Sequence, residues 1–241
     1  SDGGDRRREY AEGVREMFAG IAARYDLLNH LLSANLDRRW RARVVARVRE
    51  KLSSGARALD IACGTGDLSL ALAAACDAEI TGLDFCRPML DLAAQKSRER
   101  GREILFVEGD ALRLPFADRT FDAVTVAFGL RNFADTAGGL GELRRVLREG
   151  GRCYVLEFSR LQVPGLRALY EFYFTRVLPR VGGWLSGSRG AYEYLPRSVM
   201  GFPDQRRLAE MMRRAGFAEV EFENFMGGVA ALHAGTRPRA R

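Results

Sequence analysis

Residues 57–73 read RALDIACGTGDLSLALA, Arg57 to Ala73, and this stretch decides the fold. RALDIAC is a short apolar run with the length of a buried strand, and GDLSLALAAA after it has the length and composition of a helix. The glycines between them mark a tight turn, because a backbone that must approach a ligand closely has no room for a Cβ. The same alternation continues downstream. AEITGLDF reads as a second strand, followed by a helix opening at Pro88, since proline is favoured in a first helical turn. EILFVEGD, FDAVTVAF and GRCYVLEFS read as the third, fourth and fifth strands, the last preceded by the helix GGLGELRRVLREG. Strands alternating with helices imply a parallel sheet covered on both faces.

Upstream, residues 8–51 read as helices, with Met17, Phe18, Ile21, Leu27, Leu28, Leu31 and Leu32 spaced in threes and fours. Asp37 is the expected N-cap of the helix LDRRWRARVVARVREKL. Residues 164–200 break the rhythm and are rich in aromatics. PDQRRLAEMMRRAGF then reads as a helix stopped by Gly216, and AEVEFENF with GVAALHAGT forms a closing hairpin. Five parallel strands plus that hairpin make a mostly parallel seven-stranded sheet, with N-terminal helices and a helical insertion before the last strands. One domain over 1–241 is expected. Within it, 8–51 form a helical lid, 57–160 the binding core, 164–200 a helical cover, and 204–236 the closing helix and hairpin.

Composition narrows the function classes. Of 241 residues 47% are hydrophobic and 29% charged, ordinary for a globular protein. The N-terminal run SDGGDRRREYAEG lacks the apolar core of a secretory signal, so a cytoplasmic protein is expected. Cys63, Cys76, Cys86 and Cys153 are scattered without a CxxC pair, which gives no metal site and suits a reducing compartment. A net charge of +7 is built almost wholly from arginine, Lys51 and Lys96 being the only lysines. Its clusters are spaced along helices among apolar residues, and no aromatic-glycine RNA-binding signature accompanies them, so nucleic acid is not expected as a partner.

The glycine turn and the strand ends describe a ligand. The run Gly64-Thr65-Gly66-Asp67-Leu68-Ser69 lacks the third glycine of the dinucleotide fingerprint. It also carries an aspartate where a diphosphate would sit. Asp84, in GLDF at the carboxyl edge of the second strand, is placed to accept hydrogen bonds from both hydroxyls of a ribose. Asp110, in EGDA after the third strand, is placed to accept from an adenine amine, and Ala111 leaves room for the ring. A ribose reader and an adenine reader beside a turn that disfavours phosphate describe S-adenosylmethionine, its amino-acid end over the turn. A purely structural turn is the alternative for the glycines taken alone.

DIACGTGDLSLALA, GLDFCRPMLDLA, EGDALRLPFADRTFDAVTVAFGLRNF and VLEFS resemble the successive motifs of class I methyltransferases. More narrowly, the chain resembles the ubiquinone/menaquinone biosynthesis C-methyltransferase family (UbiE/MenG). FAGIAARYDLLNHLLSANLDRRWR, FGLRNFAD, YEFYFTRVLPRVGGWLSG, AYEYLPRSVMGFPDQ and GVAALHAG carry that likeness, from about residue 18 to 236. The resemblance implies a Rossmann-like sheet and S-adenosylmethionine as cofactor. It places cofactor contacts at Thr65, Asp84, Asp110 with Ala111, and Ala127, beside Gly64 and Gly66 of the turn. Members often have asparagine at the Asp110 position and serine at the Ala127 position. At Ala127 only the backbone is left to contribute. Asn35 and Asp37 replace residues that are often glycine and histidine.

The acceptor implied is a ring carbon of a lipid-tailed quinol, a demethylmenaquinol or a ubiquinone-type benzoquinol, with another small molecule as the alternative. Such a carbon becomes nucleophilic when its neighbouring phenol is ionised or strongly hydrogen-bonded. Arg131 and Asn132 in FGLRN are the expected catalytic pair. A guanidinium about 4 Å from a phenolate is worth ~4 kcal/mol at an effective dielectric near 20. Water or Glu157 is expected to take the proton, unless Arg131 simply pairs with an acidic neighbour and orders its loop. Tyr170, Phe172, Tyr173, Phe174 and Trp184 are expected either to line a channel for the tail or to pack on the sheet. His30 and His233 are expected to be structural. Peripheral contact with a membrane follows from a lipid-tailed substrate, and a homodimer is left open.

Overall fold

A computed structural model describes residues 2–22, 35–163, 165, 176 and 189–240. The expectations for His30, Tyr170, Phe172, Tyr173, Phe174 and Trp184 lie outside those residues. In chain order the elements are α1 (Asp2–Ile21), α2 (Leu36–Arg49), β1 (Ala56–Ile61), α3 (Asp67–Ala75), β2 (Ala78–Asp84), α4 (Arg87–Glu99) and β3 (Leu105–Glu108). There follow β4 (Phe121–Ala127), a 3-10 turn (Leu130–Asn132), α5 (Thr136–Val146), β5 (Leu147–Phe158), α6 (Arg189–Gly201), α7 (Gln205–Arg214), β6 (Ala218–Phe225) and β7 (Ala230–Thr236).

The strands form one seven-stranded sheet in the order β3-β2-β1-β4-β5-β7-β6. β1 to β5 are parallel, while β7 runs antiparallel between β5 and β6. Successive side chains of a strand face opposite sides, so the two faces carry separate cores. From β5, Cys153 and Val155 join Leu140, Leu143 and Val146 of α5 and Leu208 and Met212 of α7. Tyr154 and Leu156 join Trp40, Val44 and Val48 of α2 and Leu68 and Leu72 of α3. The 4-residue spacing Trp40-Val44-Val48 gives α2 its single buried stripe.

Helix ends follow from capping. Asp135 accepts from the Gly138 amide at the start of α5, and Asp204 accepts from the amides of Arg206 and Arg207 at the start of α7. At α2 the cap differs from the sequence expectation. Asn35, in the left-handed conformation with φ 62°, precedes the helix, and Asp37 lies in its first turn. The Asp37 carboxylate is drawn instead to the Arg41 guanidinium one turn on, and the residue is buried. The helix expected to run to Gly150 stops at Val146. The pairing of β4 with β5 slips between Phe121 and Ala123, and Gly150 sits there at φ +77°. A side chain on Gly151 would come within 2.9 Å of the Arg148 carbonyl, so the chain bulges where the helix was expected to continue. Among the described residues no helix is long and apolar enough to cross a membrane.

Candidate active site

β1 has β2 on one side and β4 on the other, so the chain leaves the sheet in opposite directions from neighbouring strand ends. Open α/β sheets hold ligands in the crevice at this point. Two non-glycine residues there are in the left-handed region: Ala62 after β1 has φ 52°, and Phe128 after β4 has φ 59°. Gly66 begins α3 at φ +82°, and a Cβ on it would lie 2.9 Å from that of Ala93 in α4. Glycine is therefore required on both counts, and the turn is pressed close to α4.

The turn is tied to the next strand by Asp84. Its Oδ2 accepts from the Gly64 amide at 2.8 Å, and its Oδ1 accepts from the Cys86 amide at 2.9 Å. Burial raises the Asp84 carboxyl to about 6, and the backbone donors only partly offset this. A carboxylate offers roughly four lone-pair sites, so acceptor capacity is left for two ribose hydroxyls. Asp110 turns on itself, Oδ1 accepting from the Leu112 amide at 2.8 Å. A cleft opens over these groups, lined by Gly64, Asp84, Asp110, Ala111 and Asn132, with Phe85, Met89, Leu112 and Phe133 as apolar wall. α1 closes one side through Ala11 and Phe18.

Thr65 and Ala127 face a second, small polar recess, which shares Gly64 with the cleft. Arg41, Asp60 and Asp67 line it too, and the sequence reading had not assigned them to the site. Asp60 accepts from Ser69 Oγ at 2.6 Å and from Thr125 Oγ1 at 2.8 Å, yet burial still raises its carboxyl to about 6. Lys96 reaches across from α4, its Nζ 3.0 Å from Thr65 Oγ1 and 2.9 Å from Asp67 Oδ1. Arg41 lies 3.7 Å from the other Asp67 oxygen. Asp67 is thus a neutralised member of a network rather than a bare charge facing the ligand, so its expected repulsion of a diphosphate weakens. The recess thus sets one cation, Arg41, beside one buried carboxylate, Asp60.

Arg131 and Asn132 part company. Asn132 lines the cleft. The Arg131 guanidinium runs back to β5, 2.7 Å from Glu157 Oε1, with side-chain exposures of 7% and 2%. It also donates to the Phe128 carbonyl and lies 5.4 Å above the Phe158 ring. Glu157 further accepts from the Phe158 amide at 2.8 Å and the Arg131 amide at 3.3 Å. The field reaching the cleft from here is that of an ion pair, weaker than that of a lone cation. His233 is buried in β7, its Nε2 donating to the Gln205 carbonyl at 2.8 Å, and burial lowers its pKa to about 4.

A Rossmann-like sheet with Asp84 and Asp110 at successive strand ends around a largely apolar cleft, and a small polar recess beside it, is the architecture of a class I S-adenosylmethionine-dependent methyltransferase. Solved structures agree on the fold: a SAM-dependent methyltransferase of Thermotoga maritima superposes with a TM-score of 0.64 at 20% identity, covering 92% of this chain and 98% of that one. The chain belongs to the ubiE/COQ5 methyltransferase family, whose model matches residues 5–237. It is 53% identical over 223 residues to the demethylmenaquinone methyltransferase of Thermus thermophilus, covering 92% of this chain and all of that one. It is 43% identical over 234 residues to the ubiquinone/menaquinone biosynthesis C-methyltransferase UbiE of a Geobacter species, covering 95% and 98%.

Proposed function

We propose that this enzyme methylates a ring carbon of a lipid-tailed quinol, with demethylmenaquinol as acceptor. The observation that carries the reading is the 53% identity over 223 residues, 92% of this chain, to a relative named for that substrate. The cleft supports it, being largely apolar around a single amide, Asn132, beyond the adenosine-binding edge.

Asp84 holds the ribose hydroxyls, Asp110 and Ala111 hold the adenine, and Arg41 with Asp60 holds the zwitterionic end over Gly64, Thr65 and Ala127. When bound, S-adenosylmethionine supplies a methyl group made electrophilic by its sulfonium. The protein must align the acceptor carbon with it and raise that carbon's electron density. Asn132 is placed to donate to the quinol oxygen. A hydrogen bond to a charged group contributes ~1.5–3 kcal/mol, which lowers a phenol pKa by roughly one to two units. Arg131 and Glu157 hold the loop that presents Asn132. Glu157 is enclosed by its own donors, so water at the cleft mouth is the better acceptor for the released proton.

A lipid-tailed acceptor brings the enzyme to a bilayer surface, and a net charge of +7 suits an anionic one. A benzoquinol is the second reading, favoured by the name of the Geobacter relative. Incubation with labelled cofactor and a reduced demethylated naphthoquinone, beside a benzoquinone analogue, decides between them by mass analysis. Labelling of neither ring would overturn the quinol reading.

A further inference from the structure

Three elements distant in sequence meet at the cleft mouth. Tyr194 in α6 donates its hydroxyl proton to Asn132 Oδ1 at 2.9 Å. Tyr10 in α1 lies 3.0 Å from the same Tyr194 oxygen. A tyrosine hydroxyl has one proton, and that of Tyr194 is committed to Asn132, so Tyr10 is the donor in the second bond. With its oxygen engaged by Tyr194, the Asn132 amide has its Nδ2 donors on the other side, and Asn132 lines the cleft.

We propose that Tyr194 is a positioning residue that fixes the Asn132 amide with Nδ2 presented to the acceptor, and that Tyr10 completes the arrangement when α1 is docked over the cleft. The proposal rests on the quinol reading for what Asn132 does. Without the Tyr194 hydroxyl the amide is free to turn, and half of its orientations offer the acceptor oxygen a lone pair instead of a proton. Burial raises the Tyr194 phenol well above its usual range, which keeps it a neutral donor throughout the working pH range. The same α1 that supplies Tyr10 walls the cleft with Ala11 and Phe18, so cofactor enclosure and setting of the donor happen together.

The test is Tyr194→Phe, which keeps the ring and removes only the hydroxyl. Expected is a fall in kcat of about tenfold, with the KM for quinol and the Kd for S-adenosylhomocysteine within about twofold of the parent. In a double-mutant cycle, Tyr194→Phe should cost nothing further once Asn132 is alanine. Tyr10→Phe, remote from the acceptor, should lower kcat by a smaller factor with the same unchanged KM, and it serves where Tyr194→Phe folds poorly by thermal melt. Parent-like kcat in Tyr194→Phe beside an impaired Asn132→Ala, or full additivity of the two, would overturn the positioning role alone. A fully active Asn132→Ala enzyme would overturn both it and the assignment of Asn132 to the acceptor.

Discussion

Asp84 and Gly64 are joined by a 2.8 Å hydrogen bond that links the end of β2 to the glycine turn after β1. One carboxylate thus shapes the turn and stands at the proposed ribose site. In Asp84→Asn the side chain keeps one acceptor oxygen of two and loses its charge. With about 1.5–3 kcal/mol at stake, the Kd for S-adenosylhomocysteine should rise roughly ten- to a hundredfold by calorimetry. An unchanged Kd would remove Asp84 from the cofactor site.

The pH dependence of binding and of stability should run in opposite directions. Asp84 and Asp60 are both raised by burial from 3.8 to about 6. Between those values the folded chain retains protons that the unfolded chain has released, so the stability these groups contribute is complete below about pH 4. It is lost as pH rises through 6. In the proposed site both hold the cofactor as carboxylates, so affinity for S-adenosylhomocysteine should weaken below pH 6, by about tenfold per pH unit for each proton involved. Calorimetry from pH 5 to 8 reads this, and a flat profile would contradict it.

Gly129 marks the tightest approach at the cleft. A Cβ there would sit 2.4 Å from that of Ala62, and both residues line the cleft. Gly129→Ala should cost ~1–3 kcal/mol through overpacking, measured by urea unfolding. Gly141→Ala, whose Cβ meets nothing within 4 Å, is the control and should be neutral or slightly stabilising.

Arg131 and Glu157 should separate stability from turnover. Removing one member of a buried pair strands the other charge, so Arg131→Ala and Glu157→Gln should each lose roughly 3–5 kcal/mol. The combined Arg131→Met, Glu157→Leu chain should recover much of that loss. Its kcat should stay low if the pair's dipole and the loop it holds serve the acceptor. Recovery of both would reduce the pair to scaffolding.

The strand-turn-helix rhythm was legible because period and length are local properties, and so were Gly64, Asp84, Asp110 and Ala111 at successive strand ends. What could not be read joins residues far apart. Lys96 meets Thr65 across 31 positions, Arg131 meets Glu157 across 26, and Tyr10 meets Tyr194 across 184. Asp37 failed as a cap for a local reason, since its carboxylate is drawn to the Arg41 guanidinium one helical turn on. Asn132 was legible as a residue, but its separation from Arg131 was not, because adjacent residues of a 3-10 turn diverge only once their partners are in place.

The borders of the sheet carry a last consequence. β6 holds Glu219, Glu221 and Glu223, is kinked where its pairing slips, and meets Arg43, Arg47 and Arg152 on its flank. At the opposite border β3 is only 4 residues long. A bristle of acids at one margin and a stub at the other deny an incoming strand a template. Self-association by lengthening the sheet is disfavoured at both ends.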